Sequence, residues 1–150
     1  MSVRPPSLLA MPSYVGDQVA KYGRRHLRDV LAAEDLLLPQ YGMLVALADF
    51  GPLSQQRIAE SLDMDKSHLV GKIDKLAARG LLAREPDPRD RRRHRIVLTE
   101  AGQALVDRIR PIAEESQRTA LAVLSDEERA VLESLLLRVL EAHDAERTAT

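Results

Sequence analysis

From Leu81 to Leu98 the chain abandons the three- and four-residue spacing of apolar side chains that governs most of its length. Leu81 to Glu85 and His94 to Leu98 alternate like short strands, with Ile96 and Leu98 on one face and Arg95 and Val97 on the other. Between them stands Pro86-Asp87-Pro88-Arg89-Asp90-Arg91-Arg92-Arg93, a cluster of turn formers that becomes an arginine block. A single basic hairpin set in an otherwise helical chain leaves few architectures open.

The segments before it narrow the choice. Met1 to Pro12, with Pro5, Pro6 and Pro12, is expected to form an extended arm. Ser13 is placed to cap a helix to about Ala33, with Val15, Val19, Tyr22, His26, Leu27, Val30 and Leu31 at helical spacing. Pro39 to about Asp49 is apolar nearly all round and predicts a buried helix. Ser54 caps a short helix to about Ser61, and Leu62-Asp63-Met64 makes a tight connection. Asp65 then caps a helix to Arg79 that Gly80 ends. After the hairpin, Thr99 caps a long helix with Pro111 as its expected bend. Ser125-Asp126-Glu127-Glu128 is a capping box opening a last helix that frays after Ala142.

Helix, three-residue turn, helix and basic hairpin, in that order, describe a winged helix-turn-helix. The predicted fold is mainly α with a small β-hairpin, a single domain over 1–150. Residues 52–99 form the winged helix-turn-helix. Residues 13–50 and 100–143 form helices of a dimerisation and ligand region. Ile58, Leu62, Leu69, Ile73 and Leu76 are the candidate core beneath the two short helices, with Ala59 small enough for their close crossing.

Charge distribution points to a polyanion. The net charge is −1, yet residues 66–95 hold 10 Lys and Arg against 4 Asp and Glu, while both flanks are acidic. At about 100° per residue, Ser67, His68, Gly71, Asp74, Lys75 and Ala78 share the face of their helix opposite Leu69, Ile73 and Leu76. Small residues let a helix lie close to a major-groove floor, where Ser67, His68 and Lys75 donate to base edges or phosphates. Lys66 and Lys72 flank that face as phosphate contacts. Ser54, Gln55 and Gln56 begin the preceding helix, where backbone N–H groups also point at a phosphate. Arg89, Arg91, Arg92 and Arg93 are the candidates for a narrow minor groove, and Asp90 anchors an arginine so that the tip keeps one shape.

At these residues the chain resembles the MarR (multiple antibiotic resistance regulator) family. Asp87-Pro88-Arg89-Asp90-Arg91-Arg92 and Val97-Leu98-Thr99-Glu100-Ala101-Gly102 resemble its wing. Asp65-Lys66-Ser67-His68-Leu69-Val70, Ile73-Asp74-Lys75-Leu76 and Gly80-Leu81 resemble its recognition helix. The resemblance implies a homodimeric regulator, commonly a repressor on a pseudopalindromic operator, released by a small aromatic or phenolic ligand. It implies that Asp74 pairs with a wing arginine, by position Arg92. Dimerisation falls to the last helix, through Leu132, Leu135, Leu136 and Val139. A ligand pocket would draw on Tyr14, Tyr22, Arg25, His26 and Tyr41. Two residues depart from the family pattern. Asp63 stands where Gly is usual, at a turn that needs a left-handed residue, and Asp tolerates that conformation better than most. His68 stands where a small hydroxyl residue or Ala is usual.

Other classes fit less well. The chain has no Cys, which excludes disulfides, zinc-thiolate sites and a cysteine oxidant sensor. His26, His68, His94 and His143 lack ligand spacing, so no metal and no cofactor is expected. No apolar run approaches the ~20 residues of a membrane span, and no secretory signal is recognisable, so a cytoplasmic protein is expected. An enzyme would need a nucleophile, an acid/base pair or a metal, and scattered Asp, Glu and Ser supply none. The remaining rival is a winged helix that binds protein and has only nonspecific DNA affinity.

Overall fold

The computed structural model describes residues 3–148. In chain order it contains α1 (Pro6–Leu9), α2 (Pro12–Ala33), α3 (Leu38–Phe50), α4 (Gln55–Ser61), α5 (Lys66–Ala78), β1 (Leu82–Pro86), β2 (His94–Leu98), α6 (Glu100–Ala120) and α7 (Asp126–Thr148). Two compact units emerge, one of residues 24–116 and one of residues 1–23 with 117–150.

The larger unit is the winged helix-turn-helix with α3 beneath it. Ile58, Leu69, Ile73 and Leu76 are fully buried with Leu31, Met43, Leu44, Leu82, Ile96, Val106 and Ile109. Each such side chain contributes roughly 2 kcal/mol by leaving water. Leu62, expected among them, stays partly exposed at the edge of this core. α3, apolar on nearly every side, packs on α4, α5 and β2. β1 and β2 pair antiparallel from Leu82 opposite Leu98 to Pro86 opposite His94. Leu53, just before α4, adds a third rung, its N–H donating to the Ile96 carbonyl at 3.0 Å and its own carbonyl accepting from the Ile96 N–H at 2.7 Å.

Helix ends follow local chemistry. The Ser54 hydroxyl accepts from the Arg57 N–H at 3.2 Å, and the Asp65 carboxylate from the Ser67 N–H at 2.8 Å. α5 closes with Gly80 at φ 68°, the Gly80 N–H donating to Ala77 and the Leu81 N–H to Leu76. Asp63, at φ 50°, closes α4 in the same way, with the Met64 N–H on the Ala59 carbonyl at 2.9 Å. Asp35, at φ 53°, does so for α2. The left-handed residue expected at Asp63 is present.

Several boundaries differ from expectation. Pro6–Leu9 forms one helical turn in the supposed extended arm, because Pro6 at the first helical position is already set for a helix. Pro12 likewise starts α2, so Ser13 lies inside the helix and not at its cap. α3 extends one residue beyond the expected span at each end, and β1 is shifted one residue toward the tip. α7 continues past Ala142 to Thr148, supported by an Arg147–Asp144 ion pair at 3.0 Å.

The smaller unit holds α1, the start of α2, the end of α6 and α7. The capping box at Ser125 forms in both directions, the Glu128 N–H donating to Ser125 Oγ at 3.2 Å and the Ser125 N–H to Glu128 at 2.8 Å. Leu135, Leu136, Leu137, Val139 and Leu140 of α7 are all exposed, as are Val15 and Val19 of α2.

The backbone N–H of Ser67 holds the Asp65 carboxyl below its ordinary value, with the Ser67 hydroxyl second. A lowered folded-state pKa adds stability that is present above the ordinary Asp pKa and lost as pH falls through the folded value. Asp65→Ala is therefore expected to lower the thermal midpoint at neutral pH. The gap to the unmodified chain should close in acid, as melting curves across the carboxylate range will show.

Candidate nucleic-acid interface

The wing tip is built by two aspartates. Asp87 Oδ1 accepts from the Arg89 N–H at 2.8 Å, and Asp90 Oδ1 from the Arg92 N–H at 3.1 Å. The Arg93 N–H donates to the Asp90 carbonyl at 2.9 Å, and its side chain lies 3.7 Å from the Asp90 carboxylate. The expectation that Asp90 shapes the tip holds. Arg89, Arg91, Arg92 and Arg93 are all exposed. The guanidinium groups of Arg89, Arg91 and Arg92 make no ion pair among the described residues.

The outer face of α5 is as the helical wheel requires. Ser67, His68, Gly71, Asp74, Lys75 and Ala78 are exposed, with Lys66 beside them. Lys72 is half-buried, its Nζ donating to the His68 carbonyl at 3.1 Å. Gln56 is held by Glu60 at 2.9 Å, and this bond, ahead of Arg57, lowers the Glu60 pKa. Ser54, Gln55 and Gln56 come together with Arg93 around an open groove of about 520 Å³, joined by Arg84 and His94. Those last two are absent from the sequence-derived set.

One assignment is corrected. Asp74 pairs with Arg84, at 2.6 Å, and not with Arg92. Arg84 stands on β1, which packs directly on α5, whereas Arg92 lies at the far end of the hairpin, where its backbone N–H is held by Asp90. The pair neutralises the one carboxylate on the outer face of α5. Arg84→Ala is expected to weaken duplex binding about 10-fold by exposing that charge to phosphates, and the Asp74→Ala, Arg84→Ala double variant to recover most of the loss. Anisotropy titration reads both. A double variant as weak as the single one would show that Arg84 acts on DNA itself.

α5 is also fixed from its other end. The Arg79 guanidinium donates to the Glu34 carbonyl at 2.7 Å and the Asp35 carbonyl at 2.8 Å, in the turn joining α2 to α3. Glu34 in turn pairs with Arg108 of α6 at 2.6 Å.

The five expected ligand residues fall in both units. Tyr14 and Tyr22 lie in the smaller unit, where both hydroxyls accept from the Arg4 guanidinium at 3.3 Å. Arg25 and His26 are exposed on α2 in the larger unit. Tyr41 is buried on α3 and lines a cleft with Leu27, Leu38, Val45 and Leu62. Among the described residues no cluster of His, Asp and Glu fits a metal ion, and no single helix is long and apolar enough to cross a membrane.

The family model described as MarR family matches residues 34–93, from the turn before α3 to the wing tip. A putative transcriptional regulatory protein for the hcr operon of Thauera aromatica is 34% identical over 122 residues, 81% of this chain and 73% of that protein. The chain belongs to the MarR family of transcriptional regulators. This regulator is also 33% identical to the HTH-type transcriptional repressor NicR of Pseudomonas putida, over 70% of its own length and 66% of that protein's. Its fold matches Bordetella bronchiseptica BpsR, whose solved structure concerns regulation of DNA binding by 6-hydroxynicotinic acid. There the TM-score is 0.75 and the identity 28%, covering 85% of this chain and 96% of that one. Membership makes it a transcriptional regulator and not an enzyme.

Proposed function

We propose that this regulator is a homodimeric repressor that binds a pseudopalindromic operator and releases it when a small aromatic ligand binds. The observation that carries DNA binding is the set of uncommitted cations. Arg89, Arg91 and Arg92 at the wing tip, with Lys66 and Lys75 on α5, have no carboxylate partner among the described residues, while the one carboxylate on the same helix face is neutralised by Arg84. In this reading α5 enters the major groove, with Ser67, His68 and Lys75 toward base edges. The wing follows the backbone into the minor groove, with Arg93 beside Arg91 and Arg92. Ser54, Gln55 and Gln56 at the start of α4, and Lys72, meet phosphates.

A second copy supplies the other half-site. The smaller unit exposes Leu135, Leu136 and Val139 on α7, with Leu132 half-exposed beside them, a patch that a monomer in water has no reason to keep. Repression and ligand release follow the naming of NicR as a repressor and the 6-hydroxynicotinic acid response of BpsR.

Light scattering of the purified chain is expected to give a dimer. The Leu135→Gln, Leu136→Gln variant is expected to give monomers whose duplex affinity falls with the loss of the second half-site. A variant that stays dimeric would overturn the role given to α7.

A further inference from the structure

We propose that Val70, on α5, is a specificity-determining residue whose side chain packs on the C5 methyl of a thymine in the major groove, with Gly71 letting the helix backbone come close enough for that contact. The inference deepens the DNA-binding reading and rests on it.

Two consecutive residues in the middle of α5 serve the helix poorly. Alanine and straight-chain residues suit an exposed helical position best. A β-branched valine loses side-chain freedom there, and a glycine has the most backbone freedom to lose. The fold gives no reason for either. Val70 is 46% exposed, and among the described residues from Pro52 to Leu98 it is the one large apolar side chain so exposed. Gly71 keeps an ordinary helical backbone, with no positive φ to favour glycine. A Cβ built on it would meet no atom within 4 Å. An isolated exposed valine carries no message by itself. A valine beside a glycine that the protein's own packing does not require, on the helix face turned to DNA, points to a surface that comes from outside.

The chemistry of that surface follows from its surroundings. At about 100° per residue, Val70 stands at the edge of the outer face beside Ser67 and Asp74, one turn from Lys66. The Asp74 carboxylate is neutralised by Arg84 at 2.6 Å, so Val70 lies between a paired acid and a cation suited to phosphate. Base edges in the major groove show donors, acceptors and one kind of apolar group, the thymine methyl. Valine has no hydrogen bond to offer. Against guanine, cytosine or adenine it would strip water from polar atoms and return nothing. Against thymine it takes a methyl out of water.

Replacing each thymine of the preferred duplex by uracil, one at a time, removes a methyl and leaves base pairing intact. Anisotropy titration should find a position in each half-site at which uracil weakens binding about 4-fold. Val70→Ala should bind thymine and uracil equally at that position, on an unchanged salt slope, and Val70→Ile should keep the discrimination. Gly71→Ala should raise the thermal midpoint by about 2–4 °C and yet weaken binding to the thymine duplex about 10-fold. Those opposite signs separate lost approach from lost folding. No duplex preferred over a scramble would overturn the DNA-binding reading and this inference with it. A preferred duplex that no uracil weakens would overturn this inference alone. So would a uracil penalty of the same size in Val70→Ala, or a Gly71→Ala variant that binds as tightly as the unmodified chain.

Discussion

Gly102→Ala is expected to destabilise the larger unit by about 3 kcal/mol, lowering the thermal midpoint by roughly 6–12 °C. The reason is a backbone approach. A Cβ on Gly102 would lie 2.0 Å from the Leu81 carbonyl oxygen and 2.6 Å from Leu98 Cδ1. The leucine side chain can move. The carbonyl cannot, because it accepts from the Thr99 N–H at 3.2 Å at the foot of the hairpin. Thr99 binds the same junction twice more, its hydroxyl donating to the Gly80 carbonyl at 2.6 Å and accepting from the Gly102 N–H at 3.1 Å. The end of α5, the start of β1 and the first turn of α6 thus meet at one point. Gly102 is the third residue of α6, where alanine would ordinarily be the better residue by roughly 1 kcal/mol. An alanine variant as stable as the unmodified chain in thermal melts would mean that α6 does not approach Leu81 so closely.

The second large effect belongs to the wing. Converting Arg89, Arg91 and Arg92 together to Ala should weaken binding to a preferred duplex by about 100-fold and lower the slope of log K against log salt by about 3. Stability should hardly change, because these guanidinium groups make no ion pair among the described residues and surface substitutions of this kind usually matter little. The tip keeps its shape through backbone N–H groups on Asp87 and Asp90, which the substitution leaves in place. Anisotropy titrations at several salt concentrations, with melting curves alongside, separate the two quantities. An unchanged salt slope would remove the wing from the interface.

These two effects differ in how far the sequence announces them. The arginine block, its turn-forming neighbours and the small-residue face of α5 are local patterns, and local chemistry places them. So are the caps at Ser54 and Asp65, the left-handed Asp63 and the capping box at Ser125. Gly102 is visible too, but only as a family letter, since its cause is a carbonyl 21 positions earlier that the fold brings close. The Asp74 partner is hidden from the sequence for the same reason. Both Arg84 and Arg92 lie in the basic hairpin, and only the packing of β1 on α5 decides between them. The Leu53 rung on Ile96 joins residues 43 apart and follows no periodicity within either segment. Tyr41 stands in an apolar helix and enters the ligand set only through the family resemblance; that it lines a cleft with Leu27 and Leu62 depends on where α2 and α4 fall against α3.

The most direct test of the central claim is a binding selection from random duplexes, followed by anisotropy titration of the winner against a scrambled duplex at physiological salt. A dimeric operator-binding regulator should enrich a pseudopalindrome with half-sites about one helical turn apart and bind it ~1,000-fold or more tighter than the scramble. Enrichment of no sequence, with both duplexes bound weakly and on the same salt slope, would contradict it and leave the winged helix as a module for binding protein.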